Sequence, residues 1–384
     1  MIYFDNAATT FPKPRSVVSA VQSALTTYSA NPGRSSHKLS QTASETIYQT
    51  RKKLADFCHL AKEERVIFTP NCTASLNLVM KGILKPGDRV LISSMEHNAV
   101  LRPLHALKDL DISVDQYEVV IGDPNATFRS FLDRLTGNTA MVISTHASNV
   151  IGAIMPIERM GQVCREEGIP FTVDAAQTAG VLDIDMEKMG IDYLCLAPHK
   201  GLYAPMGTGA LLIAGDLPLP LMQGGTGTDS INPAQPTDPP ERYESGTVNL
   251  PGIAGLSAGL DFVNSKGRDT ILTHEKHLMD YIYQGLNAIP GVRLYTDRPN
   301  DAFVPVLPFN IRSENSVRIG SALDSMGIAT RAGLHCAPDA HKRMGTLEQG
   351  AVRICPSAFS TRQEADSLLN AVERLSKKTR ESAG

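Results

Sequence analysis

No stretch of the 384-residue chain is apolar for long enough to cross a bilayer, which argues against a membrane partner. No long block of Lys and Arg occurs either, and the formal charge is only −3, which argues against a general nucleic-acid binder. The six cysteines (Cys58, Cys72, Cys164, Cys195, Cys336 and Cys355) form no C-x-x-C pair and have no zinc-like spacing, so no metal site is expected. Internal repeats and low-complexity tails are absent too. The opening MIYFDNAATT has neither a basic nor an apolar leader region. The expectation is a cytoplasmic protein with reduced thiols.

What is present is the mix of a soluble globular protein, 42% apolar and 20% charged, long enough for one large domain or two ordinary ones. From about residue 65 to 215, short apolar runs alternate with amphipathic stretches. The strand-like runs are Arg89 to Ser93, Ser113 to Val120, Ala140 to Ser144, Ile169 to Val173, Asp192 to Leu196 and Gly209 to Ile213. Helix-like stretches such as Ala126 to Leu135 and Ile157 to Glu167 lie between them. That alternation predicts an α/β fold with a mostly parallel sheet between helices. Residues 216–251 are dense in Gly and Pro and read as a long ordered loop or lid. Helical segments at 252–265, 269–288, 315–326 and 361–378, with short strands among them, predict a smaller α+β domain. The expected division is a large domain at 14–251 and a small one built from 1–13 and 252–384.

In open parallel sheets, ligands bind at the carboxyl ends of the strands. Four of the apolar runs end in polar clusters: Glu96-His97-Asn98, then His146 with Ser148-Asn149, then Asp174-Ala-Ala-Gln177, then His199-Lys200. Taken singly, each has an ordinary explanation. A lone Lys in a turn is usually solvated, Asp174 or Thr73 caps a helix, and His97 makes a structural hydrogen bond. Taken together they meet the needs of pyridoxal phosphate (PLP). That cofactor requires a lysine to carry it (Lys200) and a carboxylate facing its ring nitrogen (Asp174). It also requires an anion site, which the helix start Thr69-Pro-Asn-Cys-Thr73-Ala74-Ser75 offers through hydroxyls and N–H groups.

With these residues goes a set of motifs: Tyr3-Phe-Asp-Asn-Ala-Ala-Thr-Thr, Ser148-Asn149-Val-Ile-Gly152, Glu244-Ser-Gly-Thr247, Arg331-Ala-Gly-Leu-His-Cys336-Ala and Arg353. The chain thereby resembles the PLP-dependent cysteine desulfurases and selenocysteine lyases, class V aminotransferases of fold type I, in the group with a short cysteine loop. The resemblance implies that His97 stacks on the ring and shuttles protons, while Asn149 and Gln177 bond its hydroxyl region. It implies that Thr73 and His199 hold the phosphate, joined by Thr247 from the other subunit of a homodimer. Arg353 is expected to clamp the substrate carboxylate, with Asn149 and Arg331 also on the substrate, and Arg331 to position the cysteine loop.

The implied reaction takes sulfur from L-cysteine onto Cys336 and gives alanine, for delivery to a small sulfur-acceptor protein. A thiolate is the competent nucleophile, so a positive charge from the neighbouring His335 or Arg331 would help. Cys195 and Cys164 read as core residues. The chain departs from the family pattern in three places. Ala197-Pro198 replace Ser or Thr then Gly before His199-Lys200, Asn98 replaces a second His, and Pro338-Asp339-Ala340-His341 follow Cys336. Rival readings are a selenocysteine lyase acting on L-selenocysteine, another PLP enzyme (aminotransferase, epimerase or kynureninase-like hydrolase), and a non-catalytic scaffold for a sulfur carrier.

Overall fold

The computed structural model describes residues 1–33, 36–228, 230–298 and 300–381. Strand β1 (Ile2–Tyr3) opens the chain. The central sheet is built from β2 (Val66–Thr69), β3 (Arg89–Ser93), β4 (Ser113–Tyr117), β5 (Thr139–Thr145), β6 (Phe171–Asp174), β7 (Tyr193–Leu196) and β8 (Gly209–Ile213). The remaining strands are β9 (Val292–Leu294), β10 (Leu307–Ile311), β11 (Ile328–Ala329), β12 (Arg331–Gly333) and β13 (Ala351–Ile354). The helices are α1 (Arg15–Thr26), α2 (Lys38–Phe57), α3 (Cys72–Ile83), α4 (Asn98–Ala106), α5 (Pro124–Arg134) and α6 (Ile157–Glu166). They continue with α7 (Leu250–Lys266), α8 (Arg268–Ala288), α9 (Ser316–Ser325), α10 (Pro338–Met344) and α11 (Arg362–Glu381).

The seven strands run in the order β2-β8-β7-β6-β5-β3-β4, and β8 is antiparallel to both of its neighbours while the other pairs are parallel. Every residue of β6, β7 and β8 is buried. Their near-continuous apolar runs belong to a sheet covered on both faces, as parallel sheets are. The edge strand β4 instead leaves Ser113, Val114 and Gln116 exposed and buries Tyr117. This is the α/β fold expected from the sequence. The expected strands at 113–120 and 169–173 are observed as Ser113–Tyr117 and Phe171–Asp174. β2 is an addition to the expected runs.

A second sheet, β12-β13-β10-β9, is antiparallel throughout. Leu278, Ile282 and Leu286 of α8, Ile319 and Leu323 of α9, and Leu368 and Val372 of α11 bury its apolar side chains in a core of their own. The N-terminal β1 pairs in parallel with β11, Ile2 opposite Ile328, so the first residues join this region. Helix α7 lies so close to the turn after β7 that a Cβ at Gly259 would sit 2.0 Å from the Leu202 carbonyl oxygen, which excludes every larger residue there.

The loop before α7 is fixed to the central sheet by a buried ion pair. Arg51 of α2 donates to both carboxylate oxygens of Glu244, at 2.9 and 2.8 Å. Glu244 also accepts the Phe68 backbone N–H at 2.7 Å, and Arg51 donates to the Val66 carbonyl. Breaking such a pair strands a buried charge, whereas replacing both partners with apolar groups does not. Arg51→Met is therefore expected to destabilise the protein by about 3 kcal/mol in urea titrations, and adding Glu244→Leu to recover part of that loss. A single-variant cost below about 1 kcal/mol would show that the pair does not hold the loop.

Candidate active site

The register of the sheet explains why residues from distant segments meet. Thr145 at the end of β5 lies opposite Asp174 at the end of β6, and Asp174 lies opposite Cys195 of β7. The chain leaves all these strands at one level, and the polar clusters that follow them share one edge. There a cavity of about 230 Å³ is lined by Thr73, His97, Asn149, Asp174, Gln177, His199, Lys200, Arg331 and Arg353, among others. Nine residues chosen from sequence thus face one space.

Lys200 is half-buried in its wall. Burial pulls its ammonium below the usual lysine value, and the Asp174 carboxylate pulls the other way. An amine in that balance gives up its proton more readily than an exposed lysine does. Asp174 accepts the Ala176 N–H at 2.9 Å and lies 3.4 Å from the Cys72 thiol, which donates to the same oxygen. His97 caps α4, its Nδ1 accepting the Ala99 N–H at 3.0 Å. With Nδ1 an acceptor, Nε2 carries the proton of the neutral ring. Burial lowers the basicity of His97, against the pull of Asp174. Gln177 donates to the Ala7 carbonyl at 3.1 Å.

Arg353 is 2% exposed and engaged from two sides. It donates to the Asn149 carbonyl at 2.8 Å and to Asp5 Oδ1 at 3.0 Å, while its Nε has no partner among the described residues. Arg331 stands beside it, directly across the β12–β13 pairing. Asn149 in turn donates to the His335 carbonyl at 2.8 Å. Asp5 is a participant that the sequence reading left without a role. Its partner lies 348 residues away, so no spacing signal announces it.

Three expectations are revised. Ala74 offers no free donor, because its N–H is taken by Asn71 Oδ1 at 2.9 Å as the cap of α3. His146 follows β5 as expected but is buried apart from the cavity, with its Nδ1 unpartnered and its pKa driven down to about 3 by burial. His335 is no source of positive charge beside Cys336, since burial first and Arg353 second push its pKa down to about 2. Thr247 is exposed and lines a different cavity with Arg51 and Glu244. Of the cysteines, Cys336 is exposed and the other five are buried, Cys164 and Cys195 completely.

These residues suit a phosphorylated pyridine aldehyde. A buried amine, a carboxylate one strand away and a buried His199 Nδ1 without a partner leave open polar valences facing one cavity. A buried polar atom normally finds a partner, so these valences call for a ligand that supplies one.

The aminotransferase class-V family model matches residues 2–368. The chain belongs to that family. A probable cysteine desulfurase of Pyrococcus abyssi is 34% identical over 395 residues, covering 100% of this chain and 96% of the relative. A cysteine desulfurase of Haloferax volcanii is 30% identical over 383 residues, covering 97% and 89%. Among solved structures, the apo cysteine desulfurase from Thermococcus onnurineus superposes with a TM-score of 0.90 at 32% identity, over 98% of this chain and 95% of that one. The fold is thus the fold type I architecture of these class-V enzymes. No helix among the described residues is long and apolar enough to cross a membrane.

One carboxyl of this class-V chain has no part in the cavity chemistry. Glu275 of α8 is buried behind the turn at Lys200 and Gly201, with no hydrogen-bond partner for its carboxyl among the described residues. Burial raises its pKa from 4.5 to about 8. A group raised in the folded state contributes its full stability below the unfolded value and loses it as pH climbs through the folded one. Stability should therefore decline between about pH 4.5 and pH 8 on its account. Glu275→Gln should match the parent at pH 5 and exceed its melting temperature at pH 8.5. Equal melting temperatures at both pH values would show that the carboxyl is solvated.

Proposed function

We propose that this class-V protein is a PLP-dependent cysteine desulfurase that moves the sulfur of L-cysteine onto Cys336 and releases L-alanine. The observation carrying this reading is the placement of Cys336. It is the exposed thiol of the chain, on a loop whose His335 lines the Lys200 cavity and whose Cys336 carbonyl accepts the Asn98 N–H at 2.7 Å. An aminotransferase, an epimerase or a non-catalytic scaffold has no use for a thiol there.

In this reading Lys200 Nζ carries the cofactor, Asp174 faces its ring nitrogen, and His97 covers the ring. Thr73 and His199 serve the phosphate. When bound, PLP supplies an electron sink for the substrate carbon. Arg353 orients the substrate carboxylate with the N–H groups that Asp5 and Asn149 leave free, and Arg331 adds a second cation. Lys200 Nζ then takes the α-proton, and burial lowers its affinity for a resident proton beforehand. The Cys336 thiolate attacks the substrate sulfur. An S–S bond forms, the C–S bond breaks with its electron pair left on the β-carbon, and protonation of that carbon, with return of the α-proton from Lys200 Nζ to the α-carbon, completes alanine. His97 Nε2 is placed to move a proton during these steps.

The persulfide needs a taker, so a small sulfur-acceptor protein belongs to the proposal. So does a homodimer: Thr247 is exposed and outside its own chain's Lys200 cavity, which suits a phosphate contact in a second copy. Six free thiols fit a reducing cytoplasm.

Alanine and sulfide release from L-cysteine is the test, run beside L-selenocysteine. Cys336→Ala should lose about 100-fold or more of cysteine turnover while keeping the cofactor's absorbance, and Lys200→Ala should lose both. Unchanged cysteine turnover in Cys336→Ala would refute the role given to the thiol. Cleavage of selenocysteine alone would make the protein a selenocysteine lyase, in which a better leaving group dispenses with the thiol.

A further inference from the structure

The segment after Cys336, Pro338-Asp339-Ala340-His341, departs from the family pattern, and the reaction above leaves it unused. Its structural context gives it a task. His335 and Cys336 both adopt left-handed backbone conformations, with φ of +51° and +57°. Left-handed conformations are unfavourable for a non-glycine residue, so two in succession persist only where the surroundings impose them. From the cavity side, Asn149 and the Asn98 N–H hold the two carbonyls. From the opposite side, the hold is a line of buried side chains.

His335 Nε2 lies 3.4 Å from the Arg331 carbonyl, His335 Nδ1 lies 3.1 Å from His341 Nε2, and His341 Nδ1 lies 2.8 Å from Thr346 Oγ1. The two imidazoles are nearly parallel, at 13° between planes. His335 is 5% exposed, His341 0% and Thr346 1%. One set of hydrogens satisfies the whole line. A carbonyl only accepts, so His335 Nε2 donates to Arg331 and His335 Nδ1 must accept. His341 Nε2 therefore donates, His341 Nδ1 accepts, and the Thr346 hydroxyl donates to it. The line runs one way, from Thr346 through His341 and His335 to the backbone of Arg331. A proton added to His335 Nδ1 would face the His341 Nε2 N–H, and relieving that would require the line to reverse. Burial opposes protonation too, lowering His341 to about 4 and His335 to about 2.

We infer that His341 and Thr346 are positioning residues, which orient His335 and so fix the left-handed backbone from which Cys336 presents its thiol to the substrate bound between Arg331 and Arg353. The inference rests on the desulfurase reading for its purpose and on the local geometry for its substance. Neither residue lines the Lys200 cavity.

The test uses cofactor-loaded protein and three measurements: hydrogen–deuterium exchange of the segment 331–340, and kcat and KM for L-cysteine. His341→Leu removes the donor and retains an apolar side chain, whereas His341→Gln keeps an N–H near the Nε2 position. Exchange in the Leu variant should be about tenfold faster, with kcat lowered about tenfold or more and KM within about threefold of the parent. His341→Gln should recover most of both. Thr346→Val, which deletes the hydroxyl at nearly constant shape, should move exchange in the same direction by a smaller factor, and Thr346→Ser should restore it. If His341→Leu fails to fold, the Thr346 pair alone decides the matter. Parent-like exchange in His341→Leu, equal impairment of Leu and Gln, or identical behaviour of Thr346→Val and Thr346→Ser would each overturn the inference. Failure of the desulfurase reading is separately visible, as cysteine turnover that survives Cys336→Ala.

Discussion

Everything in this site depends on keeping an amine and a carboxylate out of water at the ends of adjacent strands. Lys200 and Asp174 are charged groups set against a sheet whose interior positions are Val, Leu, Cys and Ala. Moving either charge into such surroundings is costly unless another group compensates. The two answer each other: Asp174 favours the ammonium that burial disfavours. The sheet is what makes their opposition precise in space. With Thr145, Asp174 and Cys195 in one row, a slip of one residue would send Asp174 to the opposite face.

The same constraint recurs at Arg353. A guanidinium that is 2% exposed needs a counter-charge whether or not substrate is bound, and Asp5 provides it. Burial raises the Asp5 carboxyl while Arg353 lowers it, so each member of the pair moderates the other. The N-terminal segment is thereby drawn into the site. β1 docks on β11, Asp5 bridges to Cys355, and Thr9, Thr10 and Lys13 all bond the carbonyl of His199. An extended segment of a dozen residues, which reads in sequence as a mere lead-in, braces both the lysine turn and the arginine.

This difference marks what sequence could and could not show. Strands announce themselves by apolar runs, and strand ends announce sites by the polar residues after them, so His97, Asn149, Asp174, Gln177 and Lys200 were all legible. The helices before residue 65 were less so. α2 is mostly polar, and its buried positions include Ser40, Thr50 and Arg51, which no apolar pattern reveals. Cap competition was hidden too: Ala74 reads as a donor until Asn71 is seen to take its N–H. Least legible were pairings between segments far apart in sequence, such as Asp5 with Arg353 and Arg51 with Glu244. Those depend on the closed tertiary structure, and neither partner has a local pattern that points to the other.

The correction at His335 changes how the reactivity of Cys336 must be explained. From sequence, an adjacent imidazole is the obvious cation to favour a thiolate. In the folded chain that imidazole faces away into a buried line, with one nitrogen donating to a carbonyl and the other accepting from His341. A proton on that ring would face the His341 N–H, and burial together with Arg353 and Arg331 disfavours it further. Fixed positive charge at this end of the cavity therefore comes from the two guanidiniums. The histidine supplies geometry instead. A neutral, doubly engaged imidazole can enforce a backbone conformation that glycine would adopt freely but would not hold. That is the demand a cysteine loop makes when its thiol must meet the substrate sulfur in one orientation.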